Sequence, residues 1–345
     1  MAVAGHDLHD HHHHELDDHH EAEQAPLGRR LGAEFVGTLL FVAIGTGAAT
    51  VLTLGPVQGL GGLTDILQGA PGQDRVFGAL LSFTFADVLA VALAFAFGLT
   101  ALIYAFGGVS GAHFNPAVTF ALAVARRFKW SERPLYWIAQ ISGGIAGAFV
   151  IAGIYGQNGA ALSGTPIRFG ATVVSGDVTQ WQAILAEAFI AFVLMTAIMA
   201  VAVDHRAPKG WSGLVIGLAL AAGILVTADA TGGSANFARS IGPFVASLPY
   251  DVRNIPWSDL IVYAAGPLIG AEAAALVYES LTGLERSAPA PEPGAATHDE
   301  DLHDHAGTGG LAGGTVAGTT GPGSSVPPGL APTGDDPAPP PSPTI

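Results

Sequence analysis

Two asparagines, Asn115 and Asn236, are the polar residues most out of place in this sequence. Each stands in an Asn-x-Ala triplet behind a run of small residues. The first segment is Ser-Gly-Ala-His-Phe-Asn-Pro-Ala-Val-Thr over 110–119, and the second is Gly-Gly-Ser-Ala-Asn-Phe-Ala-Arg-Ser over 232–240. The two asparagines are 121 residues apart, and long apolar stretches surround both. A carboxamide N–H can donate to a water oxygen. Two such donors facing one point would turn a passing water so that it cannot relay a proton along a file. The positive ends of two short helices starting there would add a barrier to cations. The plainer alternative is that both asparagines only cap helices; two copies in matching context favour the pore. Arg239, in the second segment, is a cation that is costly at membrane depth unless it faces water or a partner.

Other chemistry is poorly provided for. There is no cysteine, which excludes disulfides and thiolate metal sites. No activated nucleophile pair or acid–base couple in a polar setting points to an enzyme. Eight histidines at the start of the chain (His6, His9, His11, His12, His13, His14, His19, His20) could bind zinc or nickel, either as a loose tail or as a metal- or pH-sensitive regulator.

The elements that must position the asparagines follow from composition. The chain is 50% hydrophobic and 12% charged. Its net charge of −15 sits almost wholly in the ends: residues 1–24 and 287–345 each hold seven acids and no Lys or Arg, leaving 25–286 near −1. Both ends are low in complexity and cannot bury enough apolar surface to offset their ordering entropy, so 1–26 and 285–345 are expected to be disordered tails around a channel domain at 27–284. Spans of the ~20 apolar residues needed to cross a bilayer are predicted near 31–54, 86–106, 134–156, 181–203, 212–228 and 257–279. The acidic, histidine-rich start is unlike a cleaved signal peptide. With both termini inside, nine of the thirteen Lys and Arg residues fall inside and four outside, as the positive-inside rule requires.

The core repeats. Ala33-Glu34-Phe35 in the first span is matched by Ala186-Glu187-Ala188 in the fourth, and Ala92-Leu93-Ala94 in the second by Gly217-Leu218-Ala219 in the fifth; an Asn-x-Ala triplet follows each. Three spans per half places the halves in opposite orientations, an inverted repeat with its working site between them. The segments 107–126 and 229–246 are too short to span, and non-helical backbone at membrane depth must line water or protein. Each is read as a loop that dips in and continues as a half helix, with Pro116 suited to the first helical position. The fold class is therefore an all-α membrane protein of six transmembrane helices and two re-entrant half helices.

On these residues the core at 27–284 resembles the aquaporin (major intrinsic protein) family: two Asn-x-Ala half helices, Gly-x-His-Phe-Asn-Pro-Ala-Val-Thr in the first, Ala-Arg-Ser-Ile-Gly-Pro after the second, and an Ala-Glu pair opening each half. The resemblance implies one pore per subunit, usually in a homotetramer of the plasma membrane, passing water, glycerol or other small neutral solutes without a cofactor, a bound metal or a nucleic-acid partner. It implies pore motifs at Asn115, Pro116, Ala117, Asn236, Phe237 and Ala238, and a selectivity constriction of Phe97, Ile224, Gly233 and Arg239. It also implies that Glu34 and Glu187 support the re-entrant loops through backbone hydrogen bonds. His113 would be a packed pore-wall residue rather than a metal ligand.

The sequence departs from the family at several points. Ile224 stands where water-selective members usually carry histidine, and Phe97 where glycerol facilitators usually carry tryptophan. Ser240 replaces the aspartate of those facilitators, and Phe237 replaces the proline of the second triplet. The expectation is a passive water channel with a wider, less polar constriction than a strict water filter. The alternatives are a facilitator for glycerol or another neutral solute, and a non-conducting membrane protein of the same fold. Residues 55–85 make a long first outer loop, with helix expected at 76–85. Glu272 and Asp229 have no assigned role.

Overall fold

The computed structural model describes residues 25–59, 84–160, 169–250 and 255–284. Both tails, the histidine cluster and nearly all of the long first loop lie outside the described residues, as do Arg75, Arg168, Arg253 and Arg286.

Among the described residues the elements are helical. They are α1 (Leu27–Gly59), α2 (Phe85–Ser110), α3 (Pro116–Val124), α4 (Arg133–Ala160), α5 (Gln180–Ile198), α6 (Ser212–Thr231), α7 (Phe237–Ala246) and α8 (Leu260–Thr282). A π-helical turn, Met199–Val203, ends α5. Six helices are long and apolar enough to cross a membrane, at Leu27–Leu52, Phe85–Ser110, Arg133–Gly159, Gln180–Val203, Ser212–Thr231 and Trp257–Thr282. The two that are not, α3 and α7, are the predicted half helices, with nine and ten residues.

Local signals fix where the helices start and stop. Thr84 with Asp87 and Thr179 with Gln182 form capping boxes at the starts of α2 and α5, each satisfying two otherwise orphaned backbone groups. Both α2 and α6 stop on a glycine in the left-handed region, Gly111 at φ 86° and Gly232 at φ 78°, a conformation glycine adopts without a Cβ penalty. These two glycines are themselves 121 residues apart, so the same stop signal precedes each half helix.

Packing follows the repeat. In the first half α1 lies against α4, and in the second α5 lies against α8; α2 and α6 join the halves. Close approach rests on missing side chains: a Cβ on Gly143 or Gly147 would overlap the carbonyls of Phe35 and Leu39, and one on Gly270 would overlap Ala188. In lipid, where tails are as apolar as side chains, such contact is what holds helices together. Each half helix packs mainly on the last span of the opposite half, α3 on α8 and α7 on α4. The loop following α5 is tied to α8 by Asp204, which accepts from Arg206 Nε at 2.8 Å and from Tyr278 Oη at 2.9 Å. The Arg206 hydrogen bonds hold the Asp204 carboxyl well below the usual carboxylate range.

Candidate functional site

The dipping loops need unusual backbone. Ala112 and Phe114 in the first, and Gly233 and Ala235 in the second, all have φ between 48° and 60°. Three of these four carry a Cβ, and each such residue stores about 1 kcal/mol or more of strain. Two buried carboxylates hold the strained loops. Glu34 accepts from His113 N at 3.0 Å, Phe114 N at 2.7 Å, Ser110 Oγ at 2.7 Å and Gln140 Nε2 at 2.8 Å. Glu187 accepts from Ser234 N at 2.9 Å, Ala235 N at 2.7 Å and Thr231 Oγ1 at 2.6 Å. Both carboxylates are fully buried, and neither faces the cavity described below.

The asparagines do two things at once. Each is an N-cap: Asn115 Oδ1 accepts from Ala117 N at 2.9 Å, and Asn236 Oδ1 from Ala238 N at 2.9 Å. Each amide also reaches across the repeat. Asn115 Nδ2 donates to Ala235 O, and Asn236 Nδ2 to Phe114 O, both at 2.8 Å. A carboxamide has two N–H bonds, so each asparagine keeps one donor after fixing the opposite loop. Capping and donation into a pore are thus compatible, and the alternative weighed from sequence is a part of the arrangement rather than a rival to it.

Both asparagines line a cavity whose walls are otherwise mostly apolar. Leu99 and Ile103 of α2 face it, as do Ile216 and Leu220 of α6. Four-residue steps put these on one stripe of each helix. Extending the α6 stripe by four reaches Ile224, which is buried and lies beside Gly233. Extending the α2 stripe back by four reaches Phe95, not Phe97.

Phe97 is therefore a correction. It is 60% exposed on the outer face of α2, whereas Phe95 is 2% exposed and its ring lies 4.9 Å from the Arg239 guanidinium carbon. Two residues are about 200° of helical rotation, so a slip of two moves a side chain from the pore to the outside. Phe95 is seated by Gly45, where a Cβ would overlap its ring, and by an edge contact with Phe41 at 5.2 Å.

Arg239 is 3% exposed and donates from Nη1 to Gly170 O at 2.8 Å. Its Nε has no hydrogen-bond partner among the described residues. The loop that supplies Gly170 is pinned by a row of hydroxyls: Thr172 Oγ1 lies 2.9 Å from Ser240 Oγ, and Ser240 Oγ lies 2.6 Å from Ser234 Oγ. Ser240 thus replaces a charged residue with a hydroxyl that links the arginine's loop to the second half helix.

The remaining residues fall as follows. His113 is buried, lines the cavity and has Nδ1 at 3.0 Å from Thr119 Oγ1. Pro116 and Ala117 are buried at the start of α3, and Ala238 at the start of α7. Phe237 is only half-buried and does not line the cavity, so its ring does not narrow the midpoint. Asp229 is exposed and Glu272 half-buried. Sequence reasoning missed Gln140, Tyr136, Thr172 and the pore role of Phe95, and it gave Tyr263 no structural role. Tyr136 Oη donates to Ser110 O at 2.9 Å, and Tyr263 Oη to Thr231 O at 2.8 Å. A tyrosine in the span after each triplet, 21 residues beyond Asn115 and 27 beyond Asn236, is the shared signal, and each supports the residue before the turn.

Comparison with known proteins agrees with this geometry. The family model described as "Major intrinsic protein" matches residues 21–278. Aquaporin AqpM of Methanothermobacter marburgensis is 38% identical over 256 residues, covering 74% of this chain and 98% of that protein. Probable aquaporin AqpM of Archaeoglobus fulgidus is 39% identical over 258 residues, 74% of this chain and 97% of that protein. Aquaporin NIP3-1 of Oryza sativa subsp. japonica is 32% identical over 272 residues, 79% of this chain and 74% of that protein. The X-ray structure of the aquaglyceroporin from Plasmodium falciparum superposes with a TM-score of 0.59 at 20% identity, covering 74% of this chain and 97% of that one, which speaks to the fold.

Proposed function

The chain belongs to the major intrinsic protein family, and from that premise we propose that it is a passive channel that conducts water and excludes protons and ions. The observation that carries this reading is the reciprocal pair Asn115 Nδ2 to Ala235 O and Asn236 Nδ2 to Phe114 O. It fixes both amides and leaves each one N–H for a water at the meeting point of two helix N-termini. That water spends both lone pairs on the amides and cannot accept a proton from its neighbour. The positive helix ends and Arg239 raise the barrier to cations.

The constriction is formed by Phe95, Ile224, Gly233 and Arg239. Arg239 supplies its only charged donors; Phe95 and Ile224 are apolar, and Gly233 adds no side chain. This composition favours a second reading in the same fold, a facilitator that also passes glycerol or another small neutral solute. The channel domain is 27–284, flanked by solvated tails at 1–26 and 285–345. It works as a homotetramer in the plasma membrane, with both termini in the cytoplasm, and needs neither a cofactor nor catalysis.

Stopped-flow light scattering of proteoliposomes, with sorbitol and then glycerol gradients, tests this. Fast water flux with slow glycerol flux and no proton leak supports the water channel. Fast glycerol flux with slow water flux replaces it with the second reading. Absence of any flux from a correctly folded oligomer rejects both.

A further inference from the structure

Arg133 has no role in the pore, yet three aromatic rings surround its guanidinium. Its guanidinium carbon lies 4.6 Å from the ring centre of Trp130, 5.1 Å from Trp137 and 5.5 Å from Phe120. The three rings also meet one another, Phe120 with Trp130 at 5.9 Å and with Trp137 at 6.3 Å. They come from three places: the half helix α3, the connection after it, and α4. Trp137 is fixed in turn by donating Nε1 to Pro116 O at 2.9 Å.

What the cage lacks is an anion. Arg133 Nε is buried with no hydrogen-bond partner, and no ion pair to Arg133 exists among the described residues. The nearest acid in sequence, Glu132, is already occupied by Arg30 at 2.7 Å and Lys129 at 3.7 Å. Arg133 is the first residue of α4, a helix with no acid in its first turn, so the positive end of the helix dipole adds to the guanidinium. Three π-faces lower the cost of the charge but leave its in-plane donors free.

The position identifies the class of anion. Arg133 begins a membrane span, which places the cage at the water–lipid boundary. Trp130, a wall of the cage, is itself 50% exposed, so the cage opens to that boundary. We propose that the Arg133 cage binds the phosphate of an anionic glycerophospholipid, whose acyl chains enter the bilayer beside the start of α4. A phosphate offers the acceptors a planar guanidinium matches, and the place of the cage at the start of a span selects a lipid over a free anion.

Native mass spectrometry of the delipidated full-length protein, titrated separately with phosphatidylglycerol and phosphatidylcholine, tests the site. The wild type is expected to bind phosphatidylglycerol roughly fivefold more tightly than phosphatidylcholine, the effect of one interfacial cation. Arg133→Gln should abolish that preference, and Arg133→Lys, which keeps the charge but loses the stacked plane, should fall between. Equal preference in wild type and Arg133→Gln overturns the proposal. A second measurement needs no Arg133 variant. In liposomes at matched mole fraction, chain-brominated phosphatidylglycerol should quench tryptophan fluorescence more than chain-brominated phosphatidylcholine, and Trp130→Phe should remove part of the excess. Identical quenching by the two lipids in the wild type overturns the proposal.

Discussion

The two half-sites share a backbone and differ in what holds it. Around Asn115, Glu34 accepts two loop N–H groups and a hydroxyl, and then a fourth donor from Gln140. Gln140 Nε2 also reaches Thr119, 2.9 Å away, and Thr119 contacts His113. Around Asn236, Glu187 makes the matching three contacts, but the place of Gln140 is taken by Pro267, which has no side-chain donor. The positions of His113 and Thr119 are taken by Ser234 and Ser240, whose hydroxyls lead instead to Thr172 and the loop that holds Arg239. The first half-site closes on itself and acts as a frame. The second spends its side chains on aiming a cation at the pore. One inverted repeat has divided support and selectivity between its copies.

The largest test of that division is the pair of buried acids. Glu34→Gln sets an NH2 against a shell made only of donors and should cost about 3 kcal/mol, whereas Glu187→Gln, with three donors to satisfy, should cost about 2. Unfolding midpoints of the two variants in one detergent check this, and equal losses would mean that Gln140 adds nothing to the frame. Next is the constriction. Phe95→Ala removes the ring beside Arg239 and should raise the ratio of glycerol to water permeability several-fold, while Phe97→Ala should leave that ratio at the wild-type value. The reverse result would restore Phe97 to the pore.

A smaller effect should come from the hydroxyl row. Ser240→Ala breaks the link between α7 and the Thr172 loop and should cost about 1 kcal/mol, with a rise in glycerol permeability as Arg239 loses its support. The equivalent frame change, Thr119→Ala, should cost a similar amount and leave the permeability ratio unchanged. If both variants shift the ratio, the halves are not specialised. The smallest effect is expected at Phe237. It occupies the first position of α7, where proline is tolerated because the N–H has no helical partner. Phe237→Pro should change stability by less than about 1 kcal/mol and leave water permeability unaltered, measured in the same proteoliposomes.

The sequence alone determined the elements and the motif. Spans, stops and half helices are written in local signals: apolar length, Gly111 and Gly232 at helix ends, Pro116 at a helix start, and two asparagines with matching neighbours. Glu34 and Glu187 stood out because an acid within an apolar span is costly, and their role as loop supports came from the family resemblance. Tertiary structure decided helix phase and cross-repeat partners. A soluble helix reveals its inner face by polarity, but the outer face of a span meets lipid and is as apolar as the inner one. Phe95 and Phe97 are therefore indistinguishable by composition, and only Gly45 and Phe41 of α1 and Arg239 of α7, brought together from two other helices, select between them. The same holds for Gln140, Thr172 and the crossed asparagine bonds: each joins residues at least 20 positions apart in sequence, where no local periodicity reports a contact.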